Sequence, residues 1–175
     1  ACPDDARTIL HRDFGVLRHD DPRDRFDVIV GNPPWVSRTG QGDDSEGEEL
    51  EAATALISWC QKRKRPVPQG QIAYCFVWKA VAHLRSAGTV CFLLPYGVLF
   101  NHHEGALKAQ HAWFLAHPPD RIVNLSDLRH MLFEGAKKPA LIVRYGGREA
   151  DPAWRIEYHV AKADMGVLYG CRLTL

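Results

Sequence analysis

At 175 residues the chain has the length of about one domain, and its 46% hydrophobic and 25% charged residues are those of a globular protein rather than a disordered tail. A formal net charge of +1 excludes a global basic field for nucleic acid, so any such contact must rest on local patches. No apolar run is long enough to cross a membrane as a helix and no signal peptide is visible, which points to a cytoplasmic protein without a membrane partner.

The five cysteines, Cys2, Cys60, Cys75, Cys91 and Cys171, lack the paired spacing of zinc or thioredoxin-type sites, and three lie in apolar segments, as buried reduced thiols do. Thr8–Leu10 is a short candidate strand, followed by Asp13 and Phe14. On the residues alone these two suit equally a turn aspartate beside a core phenylalanine, or a carboxylate and a ring placed against an adenosine. Arg18 to Arg25 is charged, contains Asp-Pro, and reads as an exposed loop.

Phe26 to Val30 is an apolar strand that stops at Gly31, and Asn32-Pro33-Pro34-Trp35 follows. Two consecutive prolines can neither extend a ladder nor continue a helix, and Asn32 before the first is pushed out of the helical region. An amide side chain, a carbonyl without a companion donor and an indole are thereby presented at the carboxyl end of a strand, where open α/β sheets bind ligands. Residues 37 to 49 hold three glycines and five acids with almost nothing apolar, which predicts a mobile loop.

Leu50, Ala53, Ile57 and Cys60 follow helical spacing, and Lys62-Arg63-Lys64-Arg65-Pro66 reads as the helix end, its cations set against the macrodipole. Those four cations could also meet phosphate. Gln71 to Ala87 is the clearest helix, with stripes Ile72/Phe76/Ala80/Leu84 and Ala73/Val77/Val81 facing a sheet and Gly88 as its cap. Thr89 to Leu94 then predicts a doubly flanked strand ending at Pro95-Tyr96-Gly97, so that Tyr96 shares a sheet edge with Trp35. Asn101 to His117 predicts a helix with Leu107, Gln110 and Phe114 in one row. His102, His103, His111 and His117 lack the order of a zinc motif and read as solvated histidines, so no metal is expected. Strands follow at 121–125, 140–145 and 154–160. Strand, helix, strand, with Pro/Gly turns at strand ends, is an α/β doubly wound pattern.

The string Phe26-Asp27-Val28-Ile29-Val30-Gly31-Asn32-Pro33-Pro34-Trp35 resembles the Asp/Asn-Pro-Pro-aromatic signature of S-adenosyl-L-methionine-dependent methyltransferases acting on exocyclic or amide nitrogens. It looks most like the gamma-class N6-adenine DNA methyltransferases of type I and type IIG restriction-modification enzymes. A second block about 100 residues on is similar to another gamma-class motif: Phe133, a polar loop through Lys137 and Lys138, then the strand from Ala140. The resemblance implies a Rossmann-like methyltransferase fold with a mostly parallel sheet. It implies S-adenosyl-L-methionine as cofactor and N6 methylation of adenine in DNA, in a restriction-modification or phage-defence system. The positions it carries over are Asn32, Pro33, Pro34 and Trp35 for catalysis, Asp13, Phe14 and Asn32 for the cofactor, and Trp35, Phe133 and Lys137 for the flipped-out base and its strand. The partners it implies are DNA and a specificity or nuclease subunit or domain.

Nothing in the chain matches the family's Gly-rich cofactor loop or its ribose-binding acid. The expectation is therefore the C-terminal part of a catalytic domain over residues 1–150, with 151–175 opening a connection to a target-recognition region. Such a piece would leave an apolar edge beside the 26–30 strand and have little activity alone. The alternatives are a glutamine-N5 or RNA guanine-N2 methyltransferase, or a non-catalytic methyltransferase-like module that binds DNA or a partner.

Overall fold

The computed structural model describes residues 25–36, 47–132, 138–146, 153–162, 164 and 167–174. The expected strand Thr8–Leu10 and the expected loops over 18–24 and 37–46 lie outside the described residues.

Six strands form one sheet: β1 (Phe26–Gly31), β2 (Leu84–Pro95), β3 (Pro119–Asn124), β4 (Ala140–Gly146), β5 (Arg155–Ala161) and β6 (Val167–Thr174). Their spatial order is β1-β2-β4-β3-β5-β6. β1 pairs parallel with β2 and β3 parallel with β5, whereas β4 runs antiparallel to both its neighbours and β6 antiparallel to β5. Four of the six strands therefore point one way, in a Rossmann-like α/β sheet. β5 and β6 extend the same sheet, so the expected boundary near residue 150 is no break in it, and β6 was not foreseen.

Side-chain alternation decides which face carries the main core. Val90, Phe92 and Leu94 of β2 and Leu141, Val143 and Tyr145 of β4 lie on one face, fully buried beneath three helices, α1 (Gly47–Lys62), α2 (Ile72–Ala82) and α4 (Glu104–Ala116). Buried tyrosines send their hydroxyls to backbone acceptors: Tyr145 donates to the Val77 carbonyl at 3.1 Å and Tyr74 to that of Val98 at 2.7 Å. Burial pushes the Tyr74 hydroxyl up to about 12, so it stays a donor. The opposite face carries a smaller cluster around Leu125, Leu128 and Ala140, with Leu93 and Ile142 packed on it. β1 is the edge strand, and Val28 and Val30 are 63% and 73% exposed.

The expected helix through Ala87 ends instead at Ala82, with His83 as C-cap. The Phe26 N–H takes the His83 carbonyl at 2.8 Å, and Leu84 then pairs with Phe26, so β2 begins where a longer helix would have continued. Between the pairs Phe26/Leu84 and Val28/Thr89, β2 advances five residues and β1 two, a large bulge. Gly88 lies in that bulge rather than capping a helix. A Cβ there would stand 2.9 Å from Leu84 Cδ2 and 3.0 Å from the Arg85 and Phe26 carbonyl oxygens.

The expected Asn101–His117 helix is realised as α4, starting later at Glu104 and ending at Ala116, and a separate short helix, α3 (Gly97–Phe100), precedes it. His103 caps α4, its Nδ1 accepting from the Gly105 N–H at 3.3 Å. α4 turns Ala106, Ala109 and Trp113 inward, not the expected Leu107 row, because Trp113 packs edge-on against Tyr145 at 5.1 Å; Leu107 is 45% exposed. His117 is not solvated as expected. Its Nδ1 is buried without a hydrogen bond, and burial, then nearby Arg65, lowers its pKa to about 4. The cationic run is likewise not the last helical turn. Only Lys62 lies in α1, and Arg63–Arg65 follow it.

Candidate functional site

The parallel pair β1/β2 brings the carboxyl ends of both strands to one edge of the sheet, and the antiparallel partner β4 starts there, with Pro95 opposite Ala140. Two backbone bonds fix the corners. The Ile72 N–H donates to the Val36 carbonyl at 3.1 Å, tying the first turn of α2 to the segment after Trp35, and the Tyr96 N–H donates to the Pro139 carbonyl at 2.9 Å. Between them lies a cavity of about 260 Å³ whose walls include Trp35, Gln71, Pro95, Tyr96, Gly97 and Lys138.

Trp35 is half-buried and packs on the Leu125/Leu128/Ala140 cluster while lining the cavity. Tyr96 is stacked on Phe100 at 4.3 Å between centroids, which holds the second aromatic wall. A Cβ on Gly97 would meet nothing within 4 Å, so this glycine leaves space where any side chain would fill it. Asn32 and Pro34 are exposed and Pro33 is buried. Asn32 does not itself line the cavity but stands three residues before Trp35, and no hydrogen bond engages its carboxamide among the described residues. Among the described lining residues Lys138 is the one charged side chain, and there is neither carboxylate nor imidazole. Such a wall can stack and position a planar group and accept or donate a few hydrogen bonds; it holds no strong base.

Of the sequence-derived positions, the structure thus brings Trp35 and Tyr96 into one cavity, while Asn32, Pro33 and Pro34 precede Trp35 in the chain without lining it. Asp13, Phe14, Phe133 and Lys137 lie outside the described residues. Gln71 and Ala73 went unnoticed in the sequence, because nothing local links them to Trp35; the Val36–Ile72 hydrogen bond does so across 36 positions. Among the described residues no group of three His, Cys, Asp or Glu side chains gathers into a metal site, and none of their helices is long and apolar enough to cross a membrane.

At about 260 Å³ the cavity lies just below the size of drug-sized ligand sites, roughly 300–1,000 Å³. It fits one ring-sized group better than a whole nucleoside cofactor. The positions expected to take the adenine of S-adenosyl-L-methionine, Asp13 and Phe14, are not among the described residues.

A family model for Eco57I restriction-modification methylases matches residues 6–130. The fold is shared with the type IIG restriction endonuclease BpuSI, at 19% identity and TM-score 0.60, over 86% of this chain and 16% of that one. It is shared with a component of a type I restriction-modification complex, at 14% identity and TM-score 0.59, over 89% and 28%. The methyltransferase subunit of a type I system from Streptococcus thermophilus aligns at 16% identity and TM-score 0.53, over 81% and 27%. The chain thus spans less than a third of each of these proteins, and at such identities the likeness is one of fold. No curated protein matches the sequence.

Proposed function

The chain belongs to the Eco57I restriction-modification methylase family, and from that premise we propose that it forms the amine-positioning side of a site that methylates adenine N6 in DNA. The observation that carries this reading is the uncommitted carboxamide of Asn32, exposed at the carboxyl end of β1 and rigidly joined through Pro33-Pro34 to an indole that walls a ring-sized cavity. S-adenosyl-L-methionine supplies an electrophilic methyl group when bound. The chain's own task is to make a poor nucleophile ready for it.

The N6 lone pair of adenine is delocalised into the ring. An amide oxygen and a backbone carbonyl that accept its two N–H bonds let the nitrogen rehybridise, with the lone pair left free. Asn32 Oδ1 and the Pro33 carbonyl are acceptors that the two prolines hold in a fixed relation, so little reorganisation is needed at the moment of reaction. The proton leaves after transfer, when the nitrogen is acidic, so no strong base is needed, and the described residues of the cavity wall include no carboxylate or imidazole. The base reaches such a site by leaving the duplex, and Trp35, with Phe133 by resemblance, stacks on it. In this reading Asp13 and Phe14 hold the cofactor's adenine and Lys137 a phosphate. Residues 151–175 lead toward target recognition, the protein works in the cytoplasm, and its partners are DNA and a specificity or nuclease subunit or domain.

In the intact protein, Asn32→Ala should lower methyl transfer from labelled cofactor to an adenine-containing duplex by about 10²-fold or more, with cofactor affinity little changed. Normal methylation by that variant overturns the assignment. Trp35→Ala should weaken capture of the extruded base by about 1–3 kcal/mol. The loss should vanish on a duplex abasic at the target position. A panel containing a glutamine peptide and a guanine-bearing RNA separates this reading from the other amide and amine acceptors.

A further inference from the structure

The four cations at the end of α1 and just after it line no part of the cavity, and they stand in an unusual stretch. From Ala52 to His103 there is no Asp or Glu, while Lys62, Arg63, Lys64, Arg65, Lys79 and Arg85 all lie there; the rest of the chain holds sixteen Lys/Arg against all twenty-one carboxylates. A near-neutral protein is thus polarised in sequence, with the stretch from Ala52 to His103 carrying basic side chains and no carboxylate.

Only Lys62 belongs to α1, so the run continues past the last helical turn. The turn is a rigid construction. The Arg65 N–H takes the Cys60 carbonyl at 2.9 Å and the Lys64 N–H that of Gln61 at 3.0 Å, the paired bonds of a Schellman ending. Its left-handed position, where glycine is usual, is Lys64 with φ of 54°. A cation occupies a place where a side chain is strained, which is the kind of outlier that points to use. Arg63 lies over the Trp59 ring at 4.4 Å and Arg65 over the Trp78 ring at 4.8 Å. Arg63 also donates through Nη1 to the Trp59 carbonyl at 3.5 Å, so its guanidinium is braced from both face and edge. Trp78 Nε1 donates to the Pro66 carbonyl at 3.0 Å, so the turn is pinned to α2. Trp78 is seven residues along the chain from Gln71 on the cavity wall, about 10 Å at the helical rise. Lys62, Arg63 and Lys64 are exposed.

We propose that the Lys62–Arg65 turn is a preformed, sequence-independent clamp for the phosphate backbone of duplex DNA, gripping the duplex next to the base held in the cavity. This rests on the reading of the cavity as a DNA-base site. B-DNA carries a phosphate charge about every 1.7 Å of axis, so a duplex engaged at the cavity carries a run of phosphates beyond it for the turn to meet. Braced arginines and a fixed backbone lose little freedom on meeting them, whereas the positions themselves read no base edge.

The test uses the intact protein and a labelled adenine-containing duplex, with affinity measured between 50 and 200 mM salt and methyl transfer measured at saturating duplex. Lys62→Ala with Lys64→Ala should flatten the slope of log affinity against log salt by nearly two, about 0.9 for each lost phosphate contact, while transfer at saturation is unchanged. Lys64→Gly should raise the melting temperature by relieving the left-handed strain, yet flatten the slope by about one. A folded Lys62→Ala/Lys64→Ala variant with the parent's slope overturns the clamp and leaves the cavity reading intact. A parent that binds the duplex but methylates no adenine overturns the cavity reading, and the slopes still judge the clamp. A parent that binds no duplex overturns both.

Discussion

Among single residues, His117 shows how burial replaces the role its sequence position suggests. It follows α4 in a run of histidines that read as solvated, yet its Nδ1 is sequestered, and burial followed by Arg65 lowers its pKa from 6.5 to about 4. The folded state thus binds this proton less readily than the unfolded chain does. His117 costs nothing above about pH 6.5, and stability falls as pH is lowered from there toward about 4. His117→Gln, neutral throughout, should therefore gain melting temperature relative to the parent as pH falls through that window, and an unchanging difference would contradict it. Asn32 is the contrasting case. Its predicted place at a strand end holds, because the proline after it fixes its backbone locally, whatever the rest of the fold does.

Elements were recognised more readily than their ends. α2 and β2 are both written in the apolar pattern, but Leu84–Ala87 keeps helical periodicity and is nonetheless recruited to the sheet by Phe26. That recruitment needs the β2 bulge, and the bulge needs Gly88. Gly146 on β4 lies against the same point, where a Cβ would stand 2.8 Å from the Gly88 carbonyl oxygen. Three backbone segments meet there without room for a methyl group. Gly88→Ala should cost about 1–3 kcal/mol in urea unfolding of the intact protein, and the cost should be felt by β1, whose pairing it displaces. In α4 the buried row shifted from Leu107 to Ala106, Ala109 and Trp113, since a tryptophan that finds Tyr145 outweighs a leucine with no partner strand.

At the scale of the whole molecule, polarity is distributed rather than neutral: a carboxylate-free, basic stretch of chain, an edge strand with Val28 and Val30 exposed, and a cavity at the strand ends whose described walls are almost without charge. The site was legible as far as its chemistry is local. The strand, the Gly-Asn-Pro-Pro-Trp turn and the second strand ending at Pro95-Tyr96 are each specified by residues within a few positions, because proline, glycine and apolar runs constrain the backbone directly. What tertiary structure alone decided is which of these ends meet. Trp35 and Tyr96 share a cavity because β1 and β2 are parallel neighbours, Gln71 joins them through a hydrogen bond from the start of α2, and Lys138 arrives because β4 inserts antiparallel beside β2. Such contacts are set by the packing of distant segments against a common core. No window of sequence contains both partners.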